Sequence, residues 1–217
     1  NPSLGADSGV NFTEVDNGVD DAVHSGKIDI EVGSDRISSV QFDLTPDQTK
    51  TLNELTSNGE AVTVDYSVDG RITVYLENDP SVKVLEITLN DTNDGTYTVE
   101  QFESLDQLDG SNQTELSFGV TVTDKDGDTS ASKDITVTIT DGSDPSFEAD
   151  TSGITLNESD GGTAAGKQSG QVTMDVGSDV LTAEGITFQD KGNQPTSLSD
   201  LTSNGNPVDF TVSADGT

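Results

Sequence analysis

Apolar residues recur at every second position along much of the chain, the period of a strand with one buried face. The clearest runs are Val62/Val64/Tyr66/Val68, Ile72/Val74/Leu76, Leu116/Phe118/Val120/Val122 and Ile135/Val137/Ile139. Weaker alternation predicts further strands near Val10–Val15, Lys27–Val32, Ser39–Leu44, Val82–Leu89 and Gly95–Phe102. Turn chemistry separates these runs: Asp69-Gly70, Asn93-Asp94-Gly95 and Asp109-Gly110. Asp-Gly between two alternating runs is a hairpin signal, because glycine accepts the positive φ such turns need. One helical turn is expected at Thr45-Pro46-Asp47-Gln48, an N-cap, a first-turn proline and a capping-box glutamine. Eight or nine short strands in about 144 residues predict an all-β fold, an antiparallel Greek-key β-sandwich.

The pattern repeats. "SGKIDIEVGSD" at Ser25–Asp35 returns 144 residues on as "SGQVTMDVGSD" at Ser169–Asp179. "LNELTSNGEAVTVDYSVDG" at Leu52–Gly70 returns as "LSDLTSNGNPVDFTVSADG" at Leu198–Gly216, ten of nineteen positions identical. "NPSL" at Asn1–Leu4 matches "DPSF" at Asp144–Phe147. The expected organisation is a complete sandwich repeat over 1–144 and the first half of a second, truncated, cleaved or split repeat over 145–217. Half a sandwich exposes an apolar face and unpaired edges, so the second copy is expected to need strands equivalent to 71–144 from elsewhere.

Charge changes the picture most. The chain carries 9 basic and 41 acidic side chains, a formal charge of −32. That argues against a nucleic-acid partner and against docking on anionic lipid. Self-repulsion on this scale destabilises a compact chain unless something neutralises it, and a divalent cation is the simplest agent. Disorder, the other outcome of high charge with low hydrophobicity, conflicts with the patterned apolar positions. With no cysteine there is neither a disulfide framework nor a thiolate metal site. No apolar run approaches the ~20 residues of a membrane span, so no membrane insertion is expected.

Asp124-Lys125-Asp126-Gly127-Asp128 spaces carboxylates as a turning loop does around a hard cation, and calcium takes about six to eight oxygens. It is not an EF-hand, which needs glycine at loop position 6 and glutamate at 12. Here Gly127 stands at position 4 and Ile135 at 12. A solvated acidic turn is the plainer reading. Asp141-Gly142-Ser143-Asp144-Pro145 reads as a linker, and Asn157-Glu158-Ser159-Asp160 follows a short apolar stretch in the second copy. In a tandem sandwich the turn, the linker and the second loop meet at one junction. Asp124, Asp126, Asp128, Asp141, Asp144, Glu158 and Asp160 are therefore the expected Ca2+ ligands. A flexible polar linker is the alternative. Val32-Gly33-Ser34-Asp35 and Val176-Gly177-Ser178-Asp179 read as turns first and as calcium loops second. Asp91, Asn93 and Asp94 likewise read as a hairpin turn.

No enzyme is expected. His24, the only histidine, reads as a solvated loop residue, and no nucleophile–base constellation can be assembled. Two carboxylates in glycosidase geometry could arise by chance among so many acids. However, 7 Phe, 3 Tyr and no Trp leave few rings to stack on a sugar.

"LTSNGEAVTVDYSVDG", "LEITLNDTNDGTYTVEQFESLDQL" and "LSFGVTVTDKDGDTSASKDITVTITDGSDP" resemble the long tandem repeats of giant RTX adhesins exported by type I secretion, cousins of VCBS and cadherin-like bacterial repeats. The resemblance covers all of the first unit and the half unit after it, and "TDKDGD…ITVTITDG" is its most specific part. It implies an Ig/cadherin-like extracellular extender or scaffold, located at the bacterial cell surface. Such a unit is rigidified by calcium, strung to adjacent repeats of the same chain, and projects ligand-binding domains toward host or surface ligands for adhesion and biofilm formation. The family's secretion signal is C-terminal, so no N-terminal signal peptide is expected. Residue by residue, Asp124, Asp126, Asp128, Asp141 and Asp144 match the family's acidic end, and Glu158 and Asp160 match the acidic loop of the following unit. The rival expectation is a direct carbohydrate- or peptide-binding module, which the family sometimes inserts into a split repeat.

Overall fold

The computed structural model describes residues 1–14, 22–90, 94–107, 111–147, 173–178, 202–203 and 206–207. In chain order the elements are β1 (Ser3–Asp7), β2 (Val10–Thr13), β3 (Ala22–Glu31), β4 (Ile37–Phe42), α1 (Pro46–Asn53), β5 (Thr56–Ser57), β6 (Glu60–Asp65), β7 (Arg71–Leu76), β8 (Lys83–Leu89), β9 (Thr96–Gln101), β10 (Gln113–Asp124), β11 (Lys133–Thr140), β12 (Ser146–Phe147), β13 (Met174–Asp175), β14 (Thr202–Ser203) and β15 (Asn206–Pro207). The fold is all-β, an antiparallel β-sandwich with one short helix. Among the described residues no helix is long and apolar enough to cross a membrane.

A seven-stranded sheet runs β1-β3-β9-β8-β7-β6-β5, and a four-stranded sheet runs β2-β11-β10-β4. The chain switches sheets repeatedly, the habit of Greek-key sandwiches. One pairing departs from the antiparallel expectation: β2 lies parallel to β11, with Val10 opposite Val137 and Phe12 opposite Ile139. The second strand of the repeat thereby closes onto its last strand. Between the sheets one apolar cluster is formed by inward residues of both, including Ile28, Val74, Leu85, Ile87, Tyr97 and Val99 from one and Leu116, Phe118, Val120, Ile135, Val137 and Ile139 from the other. These are the positions that alternation marks.

The helix is longer than the single turn expected. It keeps its predicted start: Gln48 N–H donates to Thr45 Oγ1, and Thr45 N–H donates to Gln48 Oε1. Two short strands, β1 and β5, have too little periodicity to be read from sequence. β6 ends at Asp65, although its alternation continues through Tyr66 and Val68.

By compactness the chain forms two units, Asn1–Val180 and Leu181–Thr217. Each carries a fragment of the repeat in matching register. In the first, Ser3 pairs Glu31 and Leu4 pairs Ile30; the equivalents in β12 and β13 pair Ser146 with Asp175 and Phe147 with Met174. In the second, Thr202 pairs Pro207 and Ser203 pairs Asn206, as Thr56 pairs Ala61 and Ser57 pairs Glu60 in β5 and β6. The sequence repeat is thus a repeat of strand pairing.

Candidate functional site

Asp124 follows Leu116, Phe118, Val120 and Val122 on the inward row of β10, so alternation alone sends its side chain toward the interior. It is 3% exposed. A buried carboxylate is costly unless hydrogen-bonded or neutralised. The turn after β10 supplies part of the answer. Asp124 O accepts from Gly127 N–H at 3.3 Å, and Asp128 O accepts from Asp124 N–H at 3.0 Å. Asp128 N–H donates to Asp124 Oδ1 at 2.9 Å. Gly127 makes the turn possible at φ +96, which a side chain would strain.

The same turn is tied to the loop after β3. Lys125 N–H donates to Arg36 O at 3.0 Å, which brings Asp35 alongside. One carboxylate oxygen each of Asp35, Asp124 and Asp126 lies within 4.8 Å of the other two. An ion held at ~2.3–2.6 Å from each oxygen allows separations up to ~4.6–5.2 Å, so one cation could reach all three, of which Asp124 is buried and Asp35 and Asp126 are exposed. Three carboxylates fall short of six to eight oxygens, and backbone carbonyls or water must complete the shell of any calcium ion.

The electrostatics are those of carboxylates sharing a site. The hydrogen bond with Asp126, aided by the backbone N–H of Asp128, holds the Asp124 carboxyl below its usual range. The Asp126 carboxyl is pushed up, first by its hydrogen bond with Asp124, then by burial and by the negative charges of Asp124, Asp35 and Asp128. This cluster could hold a metal ion.

The predicted ligands separate. Asp124 and Asp126 come together. Asp128, one turn residue on, contributes its N–H to Asp124. Asp141 sits elsewhere, just past β11, with its N–H on Asn112 O at 3.0 Å. Asp144 is exposed in the linker, which is anchored where Ser178 N–H donates to Ser143 O at 3.0 Å. Glu158 and Asp160 lie outside the described residues.

Asp141 has a neighbour that was not anticipated. Glu14 extends β2, its N–H on Thr140 O at 2.9 Å, and continues the inward row of Val10 and Phe12. It is 4% exposed. Glu14 Oε1 accepts from Leu105 N–H at 2.9 Å and from Gln101 Nε2 at 3.1 Å. Its Oε2 makes no hydrogen bond that meets the geometry among the described residues, nor do Gln101 Oε1 and Gln107 Nε2, but the Gln107 side chain lies close enough to stabilise the carboxylate. Burial pushes the Glu14 carboxyl up to about 7 against these hydrogen bonds, and the charge of Asp141 adds to the rise. Glu14 and Asp124 share a legible signal: each is an acid in the inward phase of a strand.

His24 corrects the expectation of a solvated loop. It lies on β3 opposite Val99, half-buried and stacked on Phe12 with ring centroids 4.0 Å apart. Gly26 and Ser25 mask the alternation of this strand. Asp94 behaves as a turn residue, accepting from Thr96 N–H at 3.0 Å. Asp91, Asn93, Asp179 and the expected Asp109-Gly110 turn lie outside the described residues. The Val32–Asp35 segment is a turn, with Gly33 at φ +68, and it also delivers a carboxylate to the cluster.

No protein-family model, curated protein or solved structure matches the chain.

Proposed function

We propose that the chain is a non-enzymatic, calcium-binding structural segment of a secreted bacterial adhesin of the RTX type. In this reading it works outside the cell and spaces ligand-binding domains away from the surface. The observation that carries it is the inward-facing Asp124 carboxylate converging with Asp126 and Asp35 in a chain of charge −32. The matching strand registers support a chain of repeated units.

The test is thermal unfolding of the full chain in calcium, in magnesium and in chelator. Extracellular modules bind calcium with Kd on the order of 10⁻⁴–10⁻³ M. At free calcium about 100 times Kd, each site adds ~2.7 kcal/mol. For a protein of this size 1 kcal/mol moves Tm by ~2–4 °C, so one filled site is worth ~5–10 °C. Calcium should raise Tm and magnesium should do less. Superimposable melts in calcium and chelator would remove calcium from the proposal.

A further inference from the structure

Tyr66 and Val68 extend the alternating run of β6, which should turn them inward. They are instead 40% and 43% exposed. β6 stops at Asp65, whose Oδ1 accepts from Ser67 N–H at 2.8 Å. Val68 O accepts from Arg71 N–H at 3.1 Å to close the turn, with Gly70 at φ +71. The two displaced side chains form one wall of an open hollow of about 410 Å³. Phe42 and Leu44, at the end of β4, also line it.

The rest of the lining is polar. Gln41, Thr49, Asp69 and Arg71 contribute to it. The Gln41 and Asp69 side chains make no hydrogen bond or ion pair among the described residues, whereas Arg71 Nε is buried and faces Glu86 Oε2 at 4.0 Å. A few uncommitted polar groups around an aromatic and aliphatic wall, at this volume, is the composition of a small-molecule site.

We propose that this hollow binds one neutral sugar ring of a saccharide. A pyranose has an apolar C–H face for the Tyr66 ring and equatorial hydroxyls for Gln41 and Asp69. The charge of −32 repels an anionic ligand. Three short stretches, 41–44, Thr49 and 66–72, supply the whole lining, so a compact ligand fits better than an extended peptide. The repeat supplies a comparison within the chain. Tyr66 corresponds to Val212 and Val68 to Ala214, although Asp-Gly follows in both copies. At the level of sequence the repeat thus keeps the Asp-Gly without the bulky pair. This proposal does not rest on calcium.

The experiment is an NMR titration of the full chain in calcium with methyl glucoside, methyl galactoside, methyl mannoside, maltose and cellobiose. Sialyllactose and a proline-rich peptide serve as comparators. At least one neutral sugar should shift the Tyr66 ring and the amides of Val68–Arg71, with Kd on the order of 1 mM. Tyr66→Val with Val68→Ala, the residues of the second copy, should weaken that binding at least tenfold. Gln41→Ala, on an exposed edge-strand residue, should weaken it too if the double variant folds poorly. No shift from any neutral sugar, shifts that survive both variants, or binding of only sialyllactose or the peptide would each overturn the proposal.

Discussion

Asp124 occupies a position that its strand's periodicity reserves for an apolar residue, and Glu14 does the same on β2. Each is stable there only with partners, and the two have different sets. For Asp124 the partners are the Asp128 N–H and the acids Asp126 and Asp35, a cluster that could hold a metal ion. Asp124→Asn should lower the calcium-dependent rise in Tm by half or more while leaving the chelator melt little changed or improved. Asp35→Asn should do the same to a lesser degree, and calorimetric titration would report both as weaker calcium affinity. For Glu14 the sign with pH can be worked out. Its folded carboxyl titrates at about 7 against 4.5 unperturbed, so the fold prefers the protonated acid. Its contribution is fully present below about 4.5 and is lost as pH rises through 7. In chelator, stability should therefore fall across that window. Glu14→Gln should flatten the fall and gain roughly 1–3 kcal/mol at pH 8, read by denaturant unfolding.

At the scale of elements, turns and caps hold the strands in place. α1 depends on the reciprocal bonds between Thr45 and Gln48. Gln48 Nε2 also donates to Asp134 Oδ1 at 3.0 Å and to Ser117 Oγ at 3.2 Å, which ties the helix to β10 and β11. Thr45→Ala should cost about 1 kcal/mol and Gln48→Ala more, because it releases both the cap and the sheet. Gly95, at φ +78, sits where a Cβ would overlap Ile28 O, which is backbone and cannot move aside. Gly95→Ala should destabilise the β8–β9 hairpin and its contact with β3 by several kcal/mol, seen as a lower denaturant midpoint with unchanged calcium affinity. The β-sandwich and the helix start were expected from local pattern. β1 and β5 were not, because two to five residues give too short a run for a period to register.

For the whole molecule the governing quantity is −32. Self-repulsion is screened by any salt, whereas ligation is specific to the ion. Metal-free protein should gain stability in sodium chloride. Millimolar calcium should add a further increase that 0.5 M sodium chloride does not reproduce, even with the Debye length shortened to roughly 4–5 Å. If sodium chloride alone matches calcium, charge screening and not a site accounts for the effect.

The sequence by itself determined most of the strands, the Asp69-Gly70 turn, the helix cap and the repeat. All of these rest on local physics: period-2 burial, the positive φ of glycine in Asp-Gly turns, and a capping box spanning four residues. Tertiary structure decided which carboxylates meet. Asp35 reaches Asp124 and Asp126 because β4 pairs with β10 and Lys125 N–H holds Arg36 O. Asp141 meets Glu14 because β2 lies parallel to β11. It also decided that Tyr66 faces a hollow and not the core, because β6 ends before its own periodicity does. Each outcome depends on pairing between segments far apart in the chain, and the period of any one strand carries no information about the partner it finds.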